Sequence, residues 1–230
     1  SKIPPQTVFG YFKILEEEDP ALGVSWDMRL QEIHIRIMGT IQLEVLQEIV
    51  KERFHTEISF GECEILYQET IAAPVKGYGH YEPLRHYAEV HLLLEPAPRG
   101  SGILFDSACR ADDLAPKVQN LIRTHVFEKE HKGILTGSKL TDVKITLIAG
   151  KTHLKHTEGG DLREATYRAV RQALEKAENV LLEPYYSFRL EAPEDTAGRI
   201  LSDITRLHGS FQPPEISEHR VSVSGRGPVS

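Results

Sequence analysis

Alternating apolar and polar residues in residues 141–149 predict a β-strand in the second half of the chain. Residues 161–177 instead repeat apolar positions at helical spacing, which predicts an amphipathic helix. Asp161, with Glu164 three residues later, is typical of an N-cap and predicts where that helix begins. Residues 150–161 therefore form a loop at a strand–helix corner, and such loops often carry function.

The same patterns predict elements along the rest of the chain. Helices are expected at residues 7–18, 40–54, 116–131 and 194–207, and strands at residues 22–26, 32–38, 56–60, 64–71, 86–94, 103–109, 185–191, 210–213 and 220–224. Because a Pro- and Gly-rich turn separates them, the strands at 86–94 and 103–109 are predicted to pair as a hairpin.

The order of these elements predicts an α+β protein with three segments. Residues 1–70 follow the order of a ferredoxin-like (split βαβ) unit whose first strand is missing, so we expect the chain to begin partway into a domain. Residues 71–183 form a second domain that includes the strand, loop and helix described above. Residues 184–230 have the order β-α-β-β, which predicts a truncated ferredoxin-like unit.

Charge is distributed unevenly along the chain. Residues 1–70 hold 6 Lys/Arg against 13 Asp/Glu, whereas residues 71–183 hold 16 against 15. A pI near 5.9 argues against general nucleic-acid binding but allows a local basic surface. Isolated Cys63 and Cys109 lack metal-binding spacing and favour a reducing, cytoplasmic compartment, and neither a signal-peptide core at residues 1–5 nor a membrane-spanning run is seen.

The loop at residues 150–161 concentrates groups that can contact RNA. Lys151, His153, Lys155 and His156 are predicted to contact phosphates or bases, since lysine supplies charge and histidine can stack or donate a hydrogen bond. Arg163, on the polar face of the following helix, is the best placed of its arginines to join them. Two other interpretations stay open: solvated loop histidines, or a metal site, although zinc normally takes three or four ligands.

Two glycine-containing segments elsewhere invite a nucleotide-binding interpretation that the spacing does not support. Residues 133–139 lack the spacing and the following helix of a phosphate loop, and Gly77-Tyr78-Gly79 is predicted to be a flexible turn. Tyr78, His80 and Tyr81 would then form an exposed aromatic cluster. It could be a second stacking loop or a loop packed against a neighbouring domain.

Several ordered segments resemble the translational GTPases of the elongation factor G superfamily. Residues 38–46 (Met-Gly-Thr-Ile-Gln-Leu-Glu-Val-Leu) resemble that family's Gly-x-x-His/Gln-Leu-Glu motif of domain III, and residues 67–70 (Tyr-Gln-Glu-Thr) its entry to domain IV. Residues 95–102 (Glu-Pro-Ala-Pro-Arg-Gly-Ser-Gly) and 140–145 (Leu-Thr-Asp-Val-Lys-Ile) are similar to two further domain IV motifs. Residues 182–184 and 192–194 resemble the start of domain V. Residues 161–163 and 181–188 look like the ribosomal-protection tetracycline-resistance branch.

The resemblance implies a cytoplasmic, monomeric protein that binds the bacterial ribosome and no membrane. It assigns residues 1–70 to domain III, 71–183 to domain IV with a left-handed βαβ crossover, and 184–230 to part of domain V. Domain IV would mimic a tRNA anticodon arm and reach small-subunit rRNA at the decoding centre. GTP and Mg²⁺ would bind a G domain that this sequence does not contain, so no cofactor, metal or catalytic residue is expected within it.

Three functional hypotheses follow. In the first, the loop contacts rRNA and displaces drug or tRNA in a tetracycline-protection factor. In the second, the protein is an elongation factor paralogue that acts in translocation without drug protection. In the third, it is a free-standing enzyme that uses His153 or His156 with Glu158 or Asp161, which would require a shaped pocket.

Overall fold

The computed structural model describes residues 3–28 and 30–229. Two of the five residues in which no signal-peptide core was seen, Ser1 and Lys2, therefore lie outside the described residues. Contacts divide the chain into two compact units, one that ends at Glu64 and one that begins at Ile65. Helices and strands together confirm the predicted α+β class. None of the helices in the described ranges combines the length and apolar character needed to cross a membrane.

The first unit packs two helices against a short antiparallel ribbon. Its elements are α1 (Pro5–Glu18), β1 (Ser25–Asp27), β2 (Glu32–His34) and α2 (Ile41–Phe54). Buried residues from both helices form the core, with Phe12 and Leu15 meeting Leu46 and Val50. Both predicted helices are therefore confirmed.

Three strand predictions in the first unit are wrong in position, length or kind, and the strand expected at residues 32–38 ends at His34. The strand expected at residues 22–26 begins only at Ser25, because Pro20–Leu22 forms a 3-10 turn. The segment at residues 56–60 has no regular secondary structure and belongs to no sheet of the described residues. Its Ile58 and Phe60 still pack against the core, so the apolar alternation marked burial rather than strand pairing.

The second unit begins with a sheet layer covered by two helices. Its first elements are β3 (Gln68–Ile71), β4 (Val75–Tyr81), β5 (Ala88–Pro96), β6 (Ile103–Ser107), α3 (Pro116–Phe127), β7 (Lys139–Leu140), β8 (Val143–Thr152), α4 (Gly159–Lys176) and β9 (Asn179–Leu182). One sheet has the order β4-β5-β8-β6 and a smaller one the order β7-β3-β9. The buried alternate residues of β5 and β8 meet the apolar face of α4.

Pairing of β6 differs from the predicted hairpin. It lies parallel to β8 from Ile103↔Val143 to Ser107↔Leu147, while β5 takes the other side of β8 in antiparallel register. The hairpin prediction was therefore wrong, and α3 forms the crossover between two parallel strands, as parallel pairing requires. The handedness of this crossover stays a prediction. Helix α3 also ends at Phe127, four residues before the predicted end.

Gly77 and Gly79 lie in the edge strand β4 and not in a flexible turn. A Cβ atom on Gly77 would stand 2.0 Å from the carbonyl oxygen of Ala169, and one on Gly79 would stand 1.7 Å from that of Ala165. The two glycines therefore let the backbone of α4 approach the sheet closely. The turn prediction was wrong because a short Gly-x-Gly segment also suits a strand under a closely packed helix.

The last segment forms its own small sheet on β13. Its elements are β10 (Tyr185–Pro193), α5 (Ala197–Arg206), β11 (Ser210–Phe211), β12 (Glu215–Ser217) and β13 (Arg220–Pro228), with a 3-10 turn at Glu194–Thr196 that shortens the predicted helix. Strands β10, β11 and β12 all pair antiparallel with β13. Ile204, Val221 and Val223 form its core. The three domain ranges 1–70, 71–183 and 184–230 stay predictions.

Candidate functional site

Two loops meet at one end of the β4-β5-β8-β6 sheet. Residues 153–158 connect β8 to α4, and residues 82–87 connect β4 to β5. Tyr81 and Thr152 pair with Ala88 from opposite sides, so both loops leave the sheet at the same end of its strands. We call residues 82–87 and 151–158 together the tip.

The longer loop of the tip is a closed turn held by its own backbone. The carbonyl of His153 accepts hydrogen bonds from the N–H of His156 at 3.0 Å and of Thr157 at 2.9 Å. The N–H of His153 in turn donates to the Thr157 hydroxyl at 2.7 Å. Three bonds within five residues define the shape of this loop.

The second loop is hydrogen-bonded to the first. The Tyr87 N–H donates to the His156 carbonyl at 2.8 Å, and His156 Nδ1 lies 3.1 Å from the Arg85 carbonyl. The Thr157 hydroxyl donates to the Tyr87 carbonyl, and His86 Nδ1 lies 3.0 Å from Asp161 Oδ2. The two loops therefore form one structural element.

Asp161 is placed differently from the sequence prediction. The N-cap of α4 is Glu158, and Asp161 is the third helical residue. Its carboxylate accepts a hydrogen bond from the Glu158 N–H at 2.8 Å, which satisfies one of the free amides at a helix start. The sequence thus predicted a capping box correctly, but it assigned the box to Asp161 and Glu164 instead of Glu158 and Asp161, three residues too late.

Most of the predicted contact residues at the tip are exposed and accessible to a partner. Lys151, His153 and Lys155 are exposed, and His156 is half-buried. Leu154 and Leu84 are exposed by 106% and 95%, so one fully exposed leucine stands on each loop. Neither leucine was among the predicted site residues, because neither belongs to a strand or helix periodicity.

His153 and His156 present neighbouring ring faces. Their centroids lie 4.5 Å apart at an interplanar angle of 31°. They form one wall of an open depression of about 420 Å³ whose other lining residues come from the 82–87 loop. Flat rings beside lysine side chains can stack on a base and contact its phosphate.

Contacts at the tip do not match the metal site or the histidine–Asp161 pairing that the sequence suggested. No group of three or more His, Cys, Asp or Glu residues in the described ranges is placed to hold a metal ion. The Asp161 carboxylate, which the enzyme hypothesis assigns to His153 or His156, bonds instead to His86 and to the Glu158 N–H. Asp161 thus pairs with His86 and not with the two histidines that the enzyme hypothesis names.

Arg163 lies outside the tip and is engaged within the chain. Its Nε donates to Glu128 Oε1 at 2.7 Å, and the Tyr167 hydroxyl donates to the same carboxylate. The hydrogen bonds from Tyr167 and Arg163, with His125 Nδ1 3.1 Å from Oε2, lower the pKa of Glu128 to about 2. Burial, together with this carboxylate, raises the pKa of Tyr167 to about 12. Phosphate contact by Arg163 stays a prediction and would compete with this ion pair.

Tyr78, His80 and Tyr81 belong to strand β4, so the interpretation as a second loop was wrong. The Tyr78 ring packs edge-on against His91, and His80 Nε2 lies 2.9 Å from Glu82. Tyr81 lies under the guanidinium of Arg168 at 4.9 Å. All of these contacts are within the second unit, so none of them joins the three side chains to a neighbouring domain. RNA contact by these three residues stays a prediction.

Two acidic residues within the quoted motifs prove to hold loops. Asp142, which has a left-handed backbone (φ 56°), accepts the N–H groups of Gly100 and Gly102 at 3.0 and 3.1 Å. Glu69 is fully buried and accepts bonds from the backbone of Leu135, Thr136 and Ser138. The glycine-containing segment at 133–139 therefore encloses a carboxylate of its own chain.

Known proteins resemble this chain in sequence and in fold. The chain is 30% identical over 228 residues to "Tetracycline resistance protein TetP" of Clostridium perfringens, covering 96% of this chain and 34% of that protein. A crystal structure of a Thermus thermophilus protein superposes with a TM-score of 0.77 at 25% identity, over 99% of this chain and 35% of that one. The chain thus spans about a third of the length of either protein.

The sequence model of the family described as "Elongation factor G, domain IV" matches residues 63–178, which include both loops of the tip and the helix α4. This range covers half of the chain and confirms the expected resemblance to the elongation factor G superfamily. On this match, the chain belongs to the elongation factor G domain IV family.

Proposed function

We propose that this chain is the ribosome-binding portion of a cytoplasmic translation factor GTPase of the tetracycline-protection type. The tip would contact small-subunit rRNA at the decoding site and displace drug or tRNA by occupying space. GTP chemistry would reside in a G domain joined to this chain, and the chain would act without a catalytic group, metal or cofactor of its own.

One observation carries the proposal: the exposed cationic and histidine side chains stand on a hydrogen-bonded tip and not on a loose loop. Four hydrogen bonds join residues 85–87 to residues 156–161, so contact with RNA costs little additional ordering. Lysines would position the tip on phosphates, and the histidine rings with Leu84 and Leu154 would meet exposed bases.

Ribosome binding tests the proposal directly. His153→Ala with Lys155→Ala should weaken cosedimentation with bacterial ribosomes and make the remaining binding less sensitive to salt, since a phosphate contact is lost. His34→Ala with Lys117→Ala changes the same residue types at exposed positions outside the tip and should leave binding unchanged. Equal binding by the tip variant and the control would support solvated loop histidines instead.

A translocation role without drug protection is the second candidate, and the match to an elongation factor G domain favours it. Tetracycline tolerance of a sensitive bacterial host that expresses the intact factor separates the two. Tolerance supports protection, whereas its absence together with tip-dependent ribosome binding supports translocation. Unaided GTP hydrolysis by this chain would contradict both.

A further inference from the structure

A second depression lies in the second unit, away from the tip. It is formed where the end of α3 and the residues after it meet the middle of α4, and Lys129, Lys132, His131, Tyr167, Arg171 and Leu174 line it. Tyr167 and Leu174 follow Gly159 by 8 and 15 residues. At the rise of an α-helix these residues stand about 12 and about 22 Å from its start, so the depression is separate from the tip.

Its rim is positively charged within an acidic chain. Residues 115–140 hold five Lys/Arg and two Asp/Glu, whereas the whole chain has a net charge of −7. Glu130 on the rim is paired with Lys139, and Arg171 is paired with Glu175. Lys129 and Lys132 are exposed and bring the excess positive charge to this site.

The floor and one wall are apolar or aromatic. Val170 and Leu174 are almost completely buried and form the floor. The ring of half-buried Tyr167 has the Lys129 ammonium 3.3 Å from its centroid. Beside it, His131 Nε2 donates to the Val126 carbonyl, and burial lowers the pKa of His131, so its ring is neutral near pH 7. The positive charge therefore comes from lysine and not from histidine.

Aromatic residues interleaved with cations continue beyond the depression. Phe127 is 48% exposed at the end of α3, with the Arg123 guanidinium 5.7 Å from its ring. A basic rim beside exposed or half-exposed rings is the combination by which proteins hold single-stranded nucleic acid, with cations on the backbone and rings against the bases.

We propose that this depression binds one nucleotide of single-stranded RNA, with Lys129 and Lys132 on its phosphates and its base against Tyr167, whose ring the Lys129 ammonium would leave for the phosphate. This inference rests on the proposed function, because it takes RNA as the partner. It adds a contact between α3 and α4 that is independent of the tip. Because His131 Nε2 donates to the Val126 carbonyl, its neutral ring would offer Nδ1 as an acceptor to any base edge that reached it.

Fluorescence anisotropy of a labelled, short, single-stranded RNA measures this contact on the chain itself. Lys129→Gln with Lys132→Gln should weaken binding about tenfold at low salt and reduce its salt dependence, because two phosphate contacts are removed. Lys51→Gln with Lys117→Gln removes the same charge from exposed positions elsewhere and should change affinity less than about twofold. Equal losses in the two variants would show non-specific attraction and overturn the site.

The aromatic wall is tested separately. Tyr167→Phe keeps the ring and should bind RNA as the unchanged chain does, whereas Tyr167→Leu should bind more weakly. Unfolding midpoints in urea check that both variants fold. Equal RNA affinity in Tyr167→Leu would overturn the stacking role. Inorganic phosphate that displaced the RNA at micromolar concentration would indicate a small-anion site and would likewise overturn the proposal.

The tip variant separates this inference from the proposed function. Oligonucleotide binding that survives His153→Ala with Lys155→Ala but fails in the Lys129 and Lys132 variant supports the depression, even if ribosome binding proves independent of the tip. The reverse pattern overturns the depression and leaves the tip proposal standing.

Discussion

His86 Nδ1 lies 3.0 Å from Asp161 Oδ2, which joins the loop between β4 and β5 to the first turn of α4. An ionised carboxylate only accepts hydrogen bonds, so the shared proton resides on His86. The same carboxylate oxygen accepts the Glu158 N–H at 2.8 Å. One buried side chain thus links the end of the longer loop, the start of a helix and the second loop of the tip.

Asp161→Asn should loosen the tip without unfolding the chain. The amide oxygen can accept the same two hydrogen bonds, but it carries no charge, so both bonds are weaker and the loss should be about 1–2 kcal/mol of unfolding free energy. Hydrogen exchange at residues 153–158 should accelerate. Glu164→Gln, an exposed change on the same helix, should leave exchange unchanged. Unaltered exchange in Asp161→Asn would show that the loops hold together without this carboxylate.

Gly79→Ala should destabilise the second unit. The added Cβ would stand 1.7 Å from the Ala165 carbonyl oxygen, so β4 and α4 would have to separate. Overpacking of this kind costs about 1–3 kcal/mol, seen as a lower urea midpoint. Gly198→Ala meets no atom within 4 Å and lies in helix α5, so it should stabilise by about 0.5–1 kcal/mol. Equal midpoints for the two variants would contradict the close approach.

Glu69→Gln should destabilise the chain in a pH-dependent manner. Burial opposes ionisation of Glu69, but the hydrogen bonds from Leu135, Thr136 and Ser138 outweigh it and lower its pKa below the ordinary 4.5. A lowered folded-state pKa stabilises the fold above pH 4.5, and this stabilisation is lost as pH falls through the lower value. At neutral pH the variant should lose about 2–3 kcal/mol.

Urea unfolding of Glu69→Gln and of the unchanged chain at neutral and at acidic pH measures this difference. The gap in unfolding free energy should narrow on acidification. Glu183→Gln, an exposed change, should show little loss at either pH. A gap that stayed constant with pH would mean that the charge of Glu69 is not what the loop recognises.

Tyr167 should ionise only at strongly alkaline pH. Burial and the Glu128 carboxylate raise its pKa to about 12. The stability that the neutral hydroxyl contributes is therefore complete below pH 10 and is lost as the pH rises to about 12. The absorbance difference between the unchanged chain and Tyr167→Phe reports this one phenol. In a Glu128→Gln background its pKa should fall toward 10 but remain above it, because burial persists. No change on Glu128→Gln would contradict the contact.

Local patterns predicted much of the fold but not its long-range pairing. Helices α2 and α4 and strands β5 and β8 follow from apolar periodicity, because each buries one face against the core of its own unit. The parallel pairing of β6 with β8 joins residues 40 apart, which periodicity does not record. The nearest strand in sequence was therefore chosen as the partner of β6, and that choice was wrong.

The candidate site was predicted by residue type, whereas its contacts were not. Lys151, His153 and Lys155 are exposed as the loop composition suggested. The bond between Arg163 and Glu128, two residues 35 apart, required α3 and α4 to be placed side by side. Leu84 and Leu154 were missed because an exposed apolar side chain leaves no periodic signal.

Strand β8 leads directly into the tip and has a hydrogen-bonded neighbour on each side, β5 and β6. A push on the tip along this strand would load both ladders in shear, so many hydrogen bonds would resist together rather than opening one after another. Over residues 143–147, where both neighbours pair with it, the strand should resist bending under such a load.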